Sequence, residues 1–303
     1  MNSNESATLT ILACLSCLNI DTTLLDNDPS VKAIITRKDF SPDLKGEDWN
    51  ILENVMADQK ALYDGHAIAA VACSSLLEAK DAVKKIRVKY SLLPHVTDVE
   101  EAMKEGAPII REGAARSSVP KGMHPNIVGY HESGHGDVEK GFIEADLIIE
   151  ETFKTEAAHQ GYIEPHACLV NMMPDGKGEV WCCTQGHFNV AKVCAKLLGT
   201  DASQIRVTAS EIGGGFGGKT AVFIEPVALA LSRKANRPVK IVMSRSEVFR
   251  ATGPTSSTSM CSFLHISIQR CEKCPNLADK TLSPLLNKLV SAASHPLEPV
   301  PGN

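Results

Sequence analysis

The chain has 303 residues, 43% of them hydrophobic and 22% charged, with a formal net charge of −5. These values are ordinary for a globular protein large enough for two domains, and they exclude wholesale disorder. A negative balance with no basic stripe also argues against nucleic acid as a partner.

In chain order, the apolar run Ala7 to Leu18 is too short to span a bilayer. The residues before it, Met1-Asn-Ser-Asn-Glu5, lack the positive charge of a secretory signal, so the expectation is a cytoplasmic protein with no membrane partner. Val31 to Thr36, rich in β-branched residues, predicts a short buried strand. Tyr63-Asp-Gly-His66 predicts a turn, with an apolar strand from Ala67 to Cys73 behind it. Leu76, Ala79, Ala82, Val83 and Ile86 recur at helical spacing, with Glu78, Lys80, Asp81 and Lys84 on the other face. Ile86, Val88 and Tyr90 then alternate with Arg87 and Lys89, which is strand periodicity.

Residues 108–126 are rich in Gly, Pro, Ser and basic residues without a period and read as a linker. Beyond it, Asp137 to Ala145 predicts a short helix, and Leu147 to Phe153 and Val180 to Thr184 predict strands. Val190, Val193, Cys194, Leu197 and Leu198 share one helical face, with Gly199 placed to end the helix. Ile205 to Val207 is a brief strand leading into Glu211-Ile-Gly-Gly-Gly-Phe-Gly-Gly-Lys-Thr220. A helix carrying Val227, Ala230 and Leu231 follows, then a strand from Val239 to Met243. The fold class expected is α+β (mixed α/β), a small α/β domain followed by part of a larger one.

Five of the ten cysteines, Cys73, Cys168, Cys182, Cys183 and Cys194, lie in apolar stretches, where a thiol acts as a small hydrophobe. Cys14-Leu-Ser-Cys17 and Cys271-Glu-Lys-Cys274 have chelating spacing, and Cys261 stands alone. Neither pair has the glycine or aromatic neighbours usual around zinc, and His131 and His135 sit in a glycine-containing loop; no metal held directly by side chains is expected.

Gly213-Gly-Gly-Phe-Gly-Gly218 carries the chemistry, because five glycines in six positions exceed what one turn requires. Bare main chain lets N–H groups crowd an acceptor or anion. Gly213 to Thr220 satisfies the P-loop pattern, with Lys219 and Thr220 in the phosphate and magnesium roles, so a nucleotide-binding hydrolase is the alternative reading. Against it, Pro226 would fall in the second turn of a helix begun at Gly-Lys-Thr, and no acidic residue follows the next strand. Gly213, Gly215 and Gly218 also spell the weaker dinucleotide pattern, again without its acidic residue.

More residues support a third reading. Glu211 to Lys219 resembles the cofactor loop of the molybdenum hydroxylases: xanthine dehydrogenase, aldehyde oxidase and their relatives. These proteins carry a Thr-Gln pair at the end of an upstream strand, and Thr184-Gln185 stands there, with Gln185 separated from Phe216 by the family spacing. Glu164-Pro-His-Ala167, Leu198-Gly199, Arg237-Pro-Val-Lys240 and Met243 to Phe249 are similar in the same order. Val31 to Phe40, Tyr63 to Val71, Val88 to Pro94 and Asp98 to Ala102 resemble the preceding a/b hammerhead domain.

The resemblance implies an atypical segment 1–19, a hammerhead domain 20–107, the linker 108–126, a partial molybdopterin-binding domain 127–258 and an unrelated tail 259–303. It implies a molybdenum–molybdopterin cofactor and leaves open whether the pterin is the cytosine dinucleotide form. Iron–sulfur and FAD groups would sit on partner subunits, and the substrate would be a small N-heterocycle or aldehyde hydroxylated with water as oxygen source. Gln185 would present its amide near the metal, and Gly214, Gly215, Phe216 and Gly217 would lie against the cofactor. Amide and backbone donors suit that task because they do not compete as metal ligands. Glu164 and His166 would be structural support. Thr220 would face the substrate, at a position that is acidic in the xanthine-oxidising branch; threonine lacks that charge, which puts xanthine itself in doubt. The family's base, a glutamate far downstream, has no counterpart here, so the expectation is a truncated or frameshifted chain that is inactive alone.

Overall fold

The computed structural model describes residues 4–11 and 15–266. It divides into one unit of residues 1–131 with 157–256 and a second of residues 132–156 with 257–303. Cys14, Cys271 and Cys274, and with them the paired-cysteine question, lie outside the described residues.

The first unit begins with β1 (Asn4–Ile11), β2 (Leu15–Asp21), β3 (Val31–Thr36), α1 (Gly46–Val55), β4 (Lys60–Ala61), β5 (His66–Cys73), α2 (Leu76–Lys85), β6 (Arg87–Leu92) and α3 (Val99–Ala102). The second unit takes α4 (Val138–Ile143) and β7 (Leu147–Thr155). The chain returns to the first with β8 (Ala167–Met172), β9 (Gly178–Cys182), α5 (His187–Leu198), β10 (Ile205–Ala209), α6 (Glu225–Ala235), β11 (Val239–Val242) and α7 (Arg245–Ala251). The final described element, β12 (Thr258–Ile266), belongs to the second unit.

The first unit is organised by a seven-stranded sheet ordered β10-β9-β8-β11-β1-β5-β3. β1 joins its two parts, antiparallel to β5 from Glu5↔Cys73 to Ile11↔His66 and parallel to β11 at Asn4↔Val239 and Glu5↔Lys240. The sheet therefore takes strands from both of the domains expected from the sequence, and from the segment before residue 20, which carries none of the motifs of the family resemblance. α5 and α6 cover it, and Leu197, Leu229 and Leu231 in them are fully buried. Each such leucine contributes about 2 kcal/mol relative to exposure. Gly199 ends α5 in the left-handed conformation, φ 69°, as its position predicts.

Elements that periodicity did not reveal are short or polar. α1 offers only Ile51, Leu52 and Val55 to the core after a polar first turn, and α7 buries only Val248 and Ala251 behind a capping box between Ser244 and Glu247. Residues 108–126 contain no helix or strand but are held in place. Arg116 donates to the carbonyls of Met123, His124 and Ile127, and the Asn126 amide bridges Ala102, Pro108 and Ile110.

In the second unit β12 pairs antiparallel with β7 from Thr258↔Thr155 to Ile266↔Leu147, and Phe142 meets Phe263 edge to face. Order thus continues past Thr258, where the resemblance in the sequence stops; a ladder needs only compatible main chain and alternation, not a recognisable motif. Among the described residues no helix is long and apolar enough to cross a membrane.

Candidate functional site

β10 lies parallel to β9, with Ile205 opposite Gly178 and Ala209 opposite Cys182. Parallel pairing brings the C-terminal ends of both strands to the same end of the sheet. The Thr184-Gln185 turn after β9 and the glycine loop after β10 therefore meet, and hydrogen bonds join them. Gln185 N–H donates to Lys219 O at 2.9 Å, and Thr184 Oγ1 donates to the same carbonyl at 3.2 Å. Gln185 Oε1 accepts from Gly217 N–H and Lys219 N–H, both at 3.1 Å. From the first turn of α5, Asn189 Nδ2 reaches Thr220 O at 3.3 Å.

Each glycine has its own reason to be there. A Cβ on Gly213 would lie 2.7 Å from Glu164 Cβ, on Gly215 2.5 Å from Gln185 Oε1, and on Gly218 2.7 Å from Tyr162 Cε1. Gly214 and Gly217 adopt φ of 96° and 87°, which side-chain-bearing residues avoid. Phe216 takes φ 51° all the same and leaves 75% of its surface exposed. A bulky residue rarely adopts that conformation, and here it must be held by the contacts on either side of it.

A polar layer lies against the loop. Glu164 accepts from Gly213 N–H at 2.8 Å and from Lys219 Nζ at 2.7 Å. Burial pushes the Glu164 carboxyl up, but the bonds from Lys219 and Gly213 and the lysine charge outweigh it and hold the group below the usual glutamate value. The Lys219 side chain is 0% exposed, with its ammonium 4.9 Å from the centre of the Tyr162 ring.

Tyr162 Oη is 2.8 Å from His166 Nε2 and 3.0 Å from Thr252 Oγ1, and His159 Nε2 is 3.0 Å from the same threonine oxygen. The single Thr252 hydroxyl proton goes to Val248 O at 2.7 Å, so Thr252 accepts from both Tyr162 and His159. His166 Nε2–H must then donate to Tyr162. Burial, followed by the nearby Lys219 charge, pushes the His166 pKa down to about 4, so the ring is neutral at pH 7. Burial likewise raises the Tyr162 phenol. Tyr162 and His166 therefore act as support, and neither is poised to exchange a proton near neutrality.

The structure brings Gln185, Gly214, Gly215, Phe216 and Gly217 together, with Thr220 exposed beside them and its hydroxyl donating to Gly217 O at 2.7 Å. Glu164 and His166 stand beneath as support. The P-loop geometry is absent: Lys219 is turned inward onto Glu164, and the next helix begins at Glu225 with Pro226 in its first turn. Sequence reasoning missed Tyr162 and Thr252; their only local signal is that Tyr162 lies two residues before Glu164 in a recognised motif.

A pterin cofactor needs hydrogen-bond donors that protein acceptors have left available. The N–H groups of Gly214, Gly215 and Phe216 have no protein acceptor among the described residues, and neither has the exposed Gln185 amide NH2. Three successive main-chain donors, a side-chain amide and an exposed aromatic ring fit an acceptor-rich, partly anionic group. Among the described residues no cluster of His, Cys, Asp or Glu is arranged to hold a metal ion directly.

Two family models and several known proteins match the chain. Residues 13–94 match the family described as "Aldehyde oxidase and xanthine dehydrogenase, a/b hammerhead domain", and residues 119–262 match "Molybdopterin cofactor-binding domain". The chain is 31% identical over 222 residues to a probable xanthine dehydrogenase component of Bacillus subtilis, covering 73% of this chain and 28% of that protein. It is 30% identical over 226 residues to the probable hypoxanthine oxidase XdhD of Escherichia coli, covering 66% of this chain and 24% of the relative. The chain thus spans about a quarter of the length of these relatives. The solved aldehyde oxidoreductase of Desulfovibrio gigas shares the fold, with a TM-score of 0.73 at 23% identity over 88% of this chain and 29% of that one.

Proposed function

The chain belongs to the xanthine dehydrogenase and aldehyde oxidase family of molybdenum hydroxylases, and from that premise we propose that residues 211–220 and Gln185 hold the molybdenum–molybdopterin cofactor of an oxidoreductase. The observation that carries the reading is the set of available donors on Gly214, Gly215, Phe216 and the Gln185 amide. When bound, the cofactor supplies hydroxylation of an N-heterocycle or aldehyde with water as the oxygen source. The chain's own residues bind and orient it. Main-chain N–H groups donate to its acceptors, the Gln185 amide fixes one side, and the Phe216 ring shields the group from water. Thr220 offers a neutral hydroxyl where a substrate would approach, which favours uncharged substrates over those needing a carboxylate partner.

Iron–sulfur and FAD subunits are the proposed partners for electron removal, and the cytosine dinucleotide is a proposed form of the pterin. Proton abstraction is assigned to no residue of this sequence, and turnover by this chain alone forms no part of the reading.

The test is production of the full chain in a molybdopterin-competent host, followed by molybdenum and pterin analysis. A folded wild-type chain should carry both in comparable amounts, and Gln185→Ala should carry several-fold less. Folded protein with neither molybdenum nor pterin would overturn the assignment, and ATP binding lost in Lys219→Ala would replace it with the nucleotide reading.

A further inference from the structure

We propose that Glu164 is a positioning residue that closes the glycine loop into a ring, with Lys219 as its internal counter-charge. One atom makes the closure: Glu164 Oε2 accepts from Gly213 N–H at 2.8 Å and from Lys219 Nζ at 2.7 Å. The first glycine of the run and the residue just after its last are therefore tied to a single oxygen.

The loop needs such a tie. Glycine loses more backbone freedom on ordering than any other residue, and five of the six residues from 213 to 218 are glycine. Within the loop and its exit the main chain makes only two bonds of its own, Gly218 N–H to Gly215 O at 2.7 Å and Thr220 N–H to Gly217 O at 3.4 Å. Gln185 braces the middle and the end through Gly217 and Lys219, but it does not touch the start; Glu164 does, through its carboxylate and through its main-chain N–H, which donates to Gly213 O at 3.2 Å.

The lysine explains why the brace is charged. With its side chain 0% exposed, Lys219 has no water to stabilise its ammonium, and the Tyr162 ring alone is a weak substitute. A buried charge that loses its partner is strongly destabilising. Removing the Glu164 charge would therefore drive Lys219 toward solvent and carry the end of the loop with it. The available donors on Gly214, Gly215 and Phe216 lie between the two tied residues, so the ring fixes their direction. That last consequence rests on the cofactor reading above; the ring itself does not.

Hydrogen exchange of the full chain, read over peptides spanning residues 211–221, tests the ring without any cofactor. Glu164→Gln keeps an acceptor for Gly213 but strands the lysine charge, and loop exchange should quicken by about tenfold or more while α5 and β11 are unchanged. The double variant Glu164→Gln with Lys219→Met is neutral on both sides and should return exchange to within about threefold of wild type. Wild-type exchange in Glu164→Gln, or a double variant as fast as the single, would overturn the proposal. Should Glu164→Gln not fold, Lys219→Met alone must still loosen the loop, and unchanged exchange there overturns it equally. Molybdenum measured on the same samples separates the two ideas: a metal-free wild type defeats the cofactor reading and leaves the ring to be judged by exchange alone.

Discussion

The amide oxygen of Gln185 occupies the volume that a side chain on Gly215 would need: a Cβ there would lie 2.5 Å from Oε1 and 2.6 Å from Cδ. Gly215→Ala should therefore expel the glutamine from its bonds to Gly217 and Lys219. Overpacking of this kind costs about 1–3 kcal/mol. Urea unfolding should register that loss, and molybdenum per chain should fall at least as far as in Gln185→Ala. Full stability and full molybdenum in the alanine variant would contradict the close packing.

Phe216 separates stability from binding. Its left-handed backbone is unfavourable by about 1–2 kcal/mol, and its ring is 75% exposed. Phe216→Gly relieves the backbone but adds chain entropy of similar size, so stability should change by no more than about 1 kcal/mol. Cofactor content should nonetheless drop several-fold because the shielding ring is gone. Large destabilisation with normal molybdenum would show that the ring serves packing instead.

Gly65 and Asp64 fix the turn before β5 onto α7. Arg250 grips Asp64 through Nε at 2.9 Å and Nη2 at 2.7 Å, and a Cβ on Gly65 would lie 2.5 Å from the Arg250 carbonyl carbon and oxygen. The ion pair is partly exposed, so Asp64→Asn should cost no more than about 1 kcal/mol. Gly65→Ala meets backbone at φ 87°, and should cost about 3 kcal/mol or more in chemical unfolding.

Acid should destabilise the fold from the histidine range downward. Burial pushes His66 and His166 to about 4, below the ordinary value of 6.5, so between those values the unfolded chain binds more protons than the folded one. Their contribution is complete above pH 6.5 and is lost as pH falls toward 4. Each adds a slope of up to about 1.4 kcal/mol per pH unit in that window. Glu164, held below its ordinary value, extends the loss to lower pH as its carboxylate is protonated. The buried carboxyls Glu225 and Glu53 are raised and act in the opposite sense, so the test is a difference: unfolding free energies from pH 7 to 4 should fall less steeply in His166→Gln than in wild type, and equal slopes would count against a neutral buried His166.

Periodicity and punctuation made much of this protein legible in its sequence. The strand at Val31–Thr36, the helix ending at Gly199 and the glycine run with its upstream glutamine are written in short-range patterns, because a helix face, a cap and a turn depend on residues a few places apart. Other features lie beyond such patterns. β1 joins the sheet by pairing with strands begun at residues 66 and 239, and Glu164 meets Lys219 fifty-five residues away. Tyr162 finds Thr252 across ninety residues. The same lysine that completes a P-loop pattern on paper is buried as a counter-charge in the fold. Chain order fixes what each segment prefers locally, whereas the partner of a buried charge or an open strand edge is chosen only when distant segments pack and water is excluded.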